Sequence, residues 1–354
     1  MLENMSFRLP VRLSAARSRR TGVAALSVAV LASLVLAGCG GSDKESTDEG
    51  TDPQSTENGS KLAAVWPLTG LPSDGSTPDH PVIIVKVDNS RASDPQYGLG
   101  SADLVVEEMV EGGYTRLAVA FYSKLPKKAG PVRSARASDI GIVTPTHAAL
   151  VASGAAPVTK RRLSKAGVNF YEEGVVGTYR DASEHDALHS VFIDLPKFAK
   201  SIKDKAYVPG PYLPWGQEAE FTGSQPATKI NVRFSAQTTT IFKYDGKHYL
   251  NTDTYARSGD QFKADSVLVL RTREGDAGYR DPAGNPVPET LFFGKGELML
   301  FHDGQLVRGT WEKARRDSPL VLSTAAGPLT VPAGHVWIEL LPRNSDGGKI
   351  TFKK

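Results

Sequence analysis

The sequence predicts an α+β protein: an N-terminal α/β sandwich with a mixed sheet, followed by a mostly β C-terminal domain. Three observations carry this expectation. Apolar β-branched runs alternate with helix-like segments up to about Lys205. Beyond a Pro-rich connection, strand-like runs and turn pairs recur without a convincing helix. The first 38 residues stand apart in composition from everything that follows.

That first segment reads as an export signal. Arg8, Arg12, Arg17, Arg19 and Arg20 precede an apolar stretch from Thr21 to Ala37, which ends in Leu36-Ala37-Gly38-Cys39. This is the pattern of a bacterial lipoprotein signal, with Cys39 as the lipidated residue. The stretch is shorter than the ~20 apolar residues of a spanning helix, and Ser27 and Ser33 interrupt it. Residues 1–38 are therefore expected to be removed, and acyl chains on Cys39 to anchor the protein to membrane lipid at the extracytoplasmic face of the cell membrane. Ser18-Arg19-Arg20 leaves Sec and Tat export both open.

The charge balance belongs to the signal. It holds five arginines against one acid, Glu3, so the formal +3 of the 354-residue chain becomes −1 without it. No positive field remains to favour nucleic acid as a partner. Cys39 is the only cysteine, so its modification leaves no thiol for a disulfide or a metal site. No metal and no cofactor is expected. Residues 39–62 read as a flexible tether, because Gly40 to Ser60 holds Ser, Thr, Gly and six acids and has little apolar surface to bury.

The N-terminal domain is expected over residues 63–207. Trp66 in Trp66-Pro67-Leu68-Thr69-Gly70-Leu71 is its first aromatic anchor. Pro81 to Asp88 (PVIIVKVD) reads as a strand buried on both faces and ends at the polar turn Asp88-Asn89-Ser90. Leu104 to Val110 and Thr115 to Tyr122 are two further strands, joined by a hairpin at Gly112-Gly113. Pro157 to Ala166 has helical spacing and a stop at Gly167, and Asp194 caps a second helix containing Pro196, Phe198 and Ile202.

Residues 208–225 form the Pro-rich connection, and residues 226–354 the second domain. Strands are expected at Lys229 to Phe234, Thr239 to Tyr244, Val267 to Thr272, Gly296 to His302 and His335 to Leu341. Asp245-Gly246 and Asp303-Gly304 signal hairpins, since each offers residues tolerant of positive φ.

Several uncommon strings occur in fixed order: Pro67-Leu68-Thr69-Gly70-Leu71, Val87-Asp88-Asn89-Ser90, Ala102-Asp103-Leu104-Val105-Val106-Glu107, Glu111-Gly112-Gly113-Tyr114-Thr115-Arg116 and Gly130-Pro131-Val132-Arg133-Ser134-Ala135-Arg136. Gly309-Thr310-Trp311, Asp317-Ser318-Pro319 and Gly334-His335-Val336-Trp337-Ile338-Glu339 follow near the C-terminus. In these the chain resembles the YerB-like family of two-domain lipoproteins over nearly its whole length past the signal. The resemblance implies an extracytoplasmic lipoprotein of two domains and no particular chemistry. Two strings depart from the family: Ala137-Ser138-Asp139 replaces an aromatic-containing string after the second arginine, and Leu188-His189-Ser190 stands where relatives have Pro-His-Asn. A pocket formed there differs from theirs.

The polar set of the first domain is the candidate ligand site: Asp88, Asn89, Glu107, Glu111, Arg116, Arg133, Arg136 and His189. Guanidinium groups take carboxylate or phosphate in a fixed fork, and Arg133 and Arg136 would project to one side if the backbone between them were helical. The competing reading is that the arginines neutralise the acids as buried structural bridges. His185 and His189 have the i, i+4 spacing of a helical zinc motif, but Asp186 stands in place of its general-base Glu and no third ligand follows. Lys160, Arg161, Arg162 and Lys165 read as a solvated helix face or as a surface for anionic lipid or wall polymer. Trp215, in the Pro-rich connection, is the expected exposed anchor for a sugar ring, with Trp311 and Trp337 in the core. Serine-hydrolase and phosphate-loop strings are absent.

Three functional classes remain. The first is an envelope lipoprotein that binds an anionic wall precursor or a protein partner without catalysis. The second is an enzyme acting on phosphorylated or pyrophosphate-linked envelope precursors, for which LytR-CpsA-Psr phosphotransferases offer a fold-level analogy. The third is a structural or chaperone-like module. Convergence of the arginines and acids in one open cleft favours the first two, and burial as neutralised pairs favours the third.

Overall fold

A computed structural model describes residues 64–218 and 221–354. Both segments belong to a compact unit over residues 60–354. The proposed signal, Cys39 and the tether lie outside the described residues.

In chain order the first strands are β1 (Ile83–Asp88), β2 (Leu104–Met109) and β3 (Thr115–Phe121), then α1 (Asp139–Val143), β4 (Ala149–Val151), α2 (Pro157–Lys165), β5 (Asn169–Tyr171), β6 (Thr178–Arg180), β7 (Val191–Ile193) and α3 (Leu195–Ser201). Two short strands, β8 (Trp215–Gly216) and β9 (Gln225–Pro226), span the connection. There follow β10 (Lys229–Arg233), β11 (Thr239–Tyr244), β12 (Tyr249–Asn251), β13 (Lys263–Ala264), β14 (Ser266–Arg280), β15 (Pro286–Leu291), β16 (Gly294–His302) and β17 (Gln305–Lys313). The chain closes with β18 (Val321–Thr324), β19 (Gly327–Pro328), β20 (Val331–Pro332), β21 (Val336–Pro342) and β22 (Lys349–Lys353). Among the described residues the fold is α+β, with three short α-helices against many strands.

The strands read from β-branched runs are all present, and both expected helices form. The carboxylate of Asp194 accepts from the Lys197 amide at 3.0 Å, which satisfies an otherwise orphaned donor at the start of α3. Asp303 and Gly304 both have positive φ (47° and 69°), the two-residue turn that joins β16 to β17 with the twist of its strands.

Strands from both halves of the sequence share one sheet. Among the described residues it has 13 strands, and its main path runs β19-β18-β17-β16-β14-β21-β2-β3-β1-β4-β5. The seam is a parallel pairing of β2 with β21, continued by β21 with β14. Alternation along the central strands builds two cores. Val85, Val87, Val105, Val119, Val267 and Trp337 face a second, five-stranded sheet (β13-β12-β11-β10-β22) and α3. Ile84, Val106, Ala120, Leu268 and Ile338 face α1, α2 and Trp311. Because both faces are covered, the central strands are nearly continuously apolar, and the charged residues among them are conspicuous.

Candidate functional site

The predicted polar residues gather at one end of the β2-β3-β1 triplet. Register places Arg116 of β3 opposite both Asp88 of β1 and Glu108 of β2, so a row of charge crosses three strands on the face that carries α1. The chain after residue 130 is held against the end of β1: the Asp88 amide donates to the Pro131 carbonyl at 3.0 Å and the Arg133 amide to the Lys86 carbonyl at 2.8 Å. This brings Arg133 to Asp88. Residues 133–136 form no helix, so Arg133 and Arg136 do not share a helix face. They reach different carboxylates on either side of Arg116.

Arg133 Nε lies 2.9 Å from Asp88 Oδ2, and its Nη1 donates to the Leu188 carbonyl at 2.9 Å. His189 Nε2 lies 3.2 Å from the same Asp88 oxygen, while its Nδ1 meets Asp186 Oδ1 at 2.8 Å. Arg136 grips Glu111 with a fork from Nε (2.8 Å) and Nη2. Arg116 donates to the Ser134 carbonyl at 2.9 Å and approaches Glu111 at 3.4 Å.

The electrostatics follow from these contacts. Burial would raise the Asp88 carboxyl, but the His189 hydrogen bond and the Arg133 and Arg116 charges bring it down to about 2. The bond to Asp88, against the opposing effect of burial, raises His189 above its ordinary value. Burial and the neighbouring Arg136 charge lower Arg116 to about 10.

Asp88, Glu111, Arg116, Arg133 and His189 line a cavity of about 380 Å³ with Arg91, Tyr114, Asp281 and Asn285. Arg91, Arg116 and Arg133 thus oppose Asp88, Glu111 and Asp281, His189 adds to the positive set when it is protonated, and Arg136 behind the wall adds a further positive charge. The two readings of the polar set meet here: the residues converge on an open cavity and also pair with one another. Asp281 and Asn285 come from the C-terminal half and carried no signal in the sequence.

Asn89 and Glu107 lie on the other face of the sheet. Glu107 is fully buried, accepting from Asn89 Nδ2 at 3.0 Å and from Thr240 Oγ1 at 2.9 Å, and burial pushes its carboxyl up to about 7. Its neighbour in register is Glu339. A separate buried cluster lies behind the cavity: Lys86 Nζ sits 2.8 Å from both Glu108 Oε1 and Asp139 Oδ1, with all three side chains fully buried. Sequence reasoning passed over Lys86, although a lysine inside a strand apolar on both faces requires a buried partner.

Other predicted features are placed differently. The segment containing His185 and His189 is not helical, and the His185 ring lies 3.2 Å from the Pro95 carbonyl, so the two histidines do not share a helix face. Among the described residues no group of three or more potential ligands is arranged to hold a metal ion. Trp215 is not an exposed anchor: it is half-buried against Gly70 and donates its indole N–H to the Pro67 carbonyl at 3.0 Å. Trp311 and Trp337 are in the core. In the basic cluster on α2, Lys160 pairs with Glu172 and Arg162 with Glu289. A larger cavity of about 640 Å³ lies elsewhere, walled by Arg271, Trp311 and Arg343, and contains none of the predicted site residues.

A strand-rich α+β protein with one sheet shared by two sequence halves and an ion-paired cavity at the end of its central strands is the class defined by this geometry. Residues 68–208 match the family model described as "Protein of unknown function (DUF3048) N-terminal domain", and residues 230–338 match its C-terminal counterpart. "Putative lipoprotein YerB" of Bacillus subtilis (strain 168) is 25% identical over 298 residues, covering 78% of this chain and 86% of that protein. The crystal structure of YerB protein from Bacillus subtilis has the same fold, with a TM-score of 0.67 and 21% identity over 81% of this chain and 99% of the other. The chain belongs to the YerB-like family, defined by these paired N- and C-terminal domains. Among the described residues no helix is long and apolar enough to cross a membrane.

Proposed function

We propose that this protein is a lipoprotein anchored through Cys39 at the extracytoplasmic face of the cell membrane, whose cavity at Arg116, Arg133 and His189 binds the anionic group of an envelope ligand without catalysing its conversion. The observation that carries this reading is the position of Arg133. It is fixed by Asp88 and by the Leu188 carbonyl yet remains part of an open wall, and a guanidinium so oriented is preorganised for a carboxylate or phosphate. The Leu36-Ala37-Gly38-Cys39 run and the lipoprotein name of the Bacillus relative support the anchor.

The same contacts argue for binding over catalysis. Asp88, held at about 2, is a poor proton acceptor near neutral pH. Both nitrogens of His189 face carboxylates and Glu111 is occupied by the Arg136 fork, so neither is poised to move a proton.

Calorimetry of the full-length protein with inorganic phosphate, pyrophosphate and a lipid-pyrophosphate analogue tests the site, with Arg133→Ala as the variant. The expected result is saturable binding that Arg133→Ala weakens at least tenfold while the variant still melts cooperatively. Absence of binding to all three, or equal binding by the variant, overturns the reading. Incorporation of a palmitate analogue by the wild type and not by Cys39→Ser tests the anchor.

A further inference from the structure

The charged cavity has a neighbour. A second cavity, of about 130 Å³, shares two wall residues with it, Ser90 and Tyr114, and differs in character. Its remaining walls are mainly amides and hydroxyls, Asn89, Gln237, Thr240 and Asn251 among them, with Tyr255 as a further aromatic ring and Asp253 as its carboxylate. The charged cavity comes from β1, β3 and the chain around Arg133, whereas much of the neutral one comes from β11, β12 and their flanking turns. The two are brought together because β11 packs beneath the sheet, where Thr240 bonds Glu107.

Tyr114 lines both cavities. It is 49% exposed, and its backbone is fixed on both sides. Its carbonyl accepts from the Val110 amide at 2.8 Å, and the preceding Gly113 carbonyl accepts from Thr238 Oγ1 at 3.0 Å and from Ser235 Oγ. A solvent-facing ring on a pinned turn, flanked by amides and hydroxyls, offers an apolar face beside donors and acceptors. That combination suits the apolar face and ring hydroxyls of a sugar.

We propose that the two cavities form one bipartite site for an acidic saccharide, with the carboxylate or phosphate at Arg116 and Arg133, the sugar ring over Tyr114, and a neighbouring ring or acylamino group against Gln237 and Asn251. The inference rests on the anion site proposed above and adds the class of ligand. A free anion fills only the charged half. An oligosaccharide carrying an acid engages both, and the second set of contacts is made without a second loss of translational freedom.

The test is an array of carboxylated, phosphorylated and neutral oligosaccharides probed with the full-length protein, followed by calorimetry of the best binder beside inorganic phosphate. Gln237→Ala and Asn251→Ala remove the neutral half, and Arg133→Ala the charged half. An acidic oligosaccharide is expected to bind at least tenfold more tightly than phosphate, with Gln237→Ala and Asn251→Ala losing that margin while keeping phosphate binding. Phosphate binding without any oligosaccharide gain, or a gain untouched by Gln237→Ala and Asn251→Ala, overturns the bipartite site and leaves the anion site standing. Equal binding of neutral and acidic oligosaccharides overturns the requirement for an acid. Absence of all binding by the wild type, phosphate included, overturns both readings.

Discussion

Glu107 and Glu339 lie opposite each other where β2 pairs in parallel with β21, and both are fully buried at the seam between the two halves of the sequence. Glu107 has donors in Asn89 and Thr240, and Glu339 hydrogen-bonds to Glu107 itself. Ionising one of two adjacent buried carboxylates opposes ionising the other, so the pair holds a proton to higher pH than free carboxyls do.

This pair makes stability depend on pH. Burial brings Glu107 to about 7 and holds Glu339 well above the ordinary carboxyl range, where the adjacent Glu107 and nearby Asp253 push it further. The folded protein thus keeps protons that the unfolded chain releases above pH ~4.5. The contribution is complete below that value and is lost as pH rises through about 7. For Glu107 the span corresponds to on the order of 3 kcal/mol. Buried Glu108 and Glu274, raised to about 7 and 8, act in the same direction. Thermal melting from pH 5 to 9 should show a falling melting temperature. Glu339→Gln, which keeps a donor for Glu107 and removes one ionisation, should flatten the fall and melt higher than the parent at pH 9. Parallel profiles would clear Glu339 of the effect.

Lys86 is the counter-charge for a buried pair, and its loss should be expensive. Lys86→Met leaves Glu108 and Asp139 in an apolar setting without a cation and is expected to cost about 3–5 kcal/mol. Glu108→Gln keeps the Asp139 partner and should cost much less. Urea unfolding of both variants reads the difference, and comparable losses would mean that Lys86 contributes through packing alone.

The contrast between what was legible and what was not has a physical basis. β1, β2 and β3 were readable because apolar β-branched runs end in turn residues, and Asp88, Glu111 and Arg116 could be grouped because short connections bring those strand ends together. Register between distant strands leaves no local mark, so neither the Glu107–Glu339 pair nor the sheet shared across the halves was visible. For the same reason the contribution of Asp281 and Thr240 to the site region appears only in three dimensions. Trp215 misled because a Pro-rich segment looks exposed, while here it folds back onto Pro67 and Gly70.

His189 should titrate above the ordinary histidine value because Asp88 and Asp186 flank its ring. Histidine NMR titration of Asp88→Asn should show His189 moving down, since its strongest stabilising contact is gone. Arg133→Ala removes a repelling charge and should leave His189 high or raise it. An unchanged His189 in Asp88→Asn would place the controlling interaction elsewhere. With Asp88 and His189 both in the cavity wall, anion binding should weaken as pH rises through the raised His189 value and its charge is lost.

Gly296 tests how closely the β16 backbone must approach its neighbours. A Cβ there would overlap the Arg271 carbonyl oxygen and lie 2.7 Å from Trp311 Nε1. The obstructing atoms are backbone and a buried ring, neither of which moves as the tip of a flexible side chain would. The Trp311 indole also donates to that same Arg271 carbonyl at 3.3 Å, so relieving the clash disturbs a buried hydrogen bond. Gly296→Ala is expected to cost about 1–3 kcal/mol and to lower the melting temperature by several degrees. Gly210→Ala is the control, because a Cβ at that exposed position meets nothing within 4 Å. Equal melting temperatures for the two variants would show that β16 can shift to admit a methyl group and that the close contact is not required for the fold.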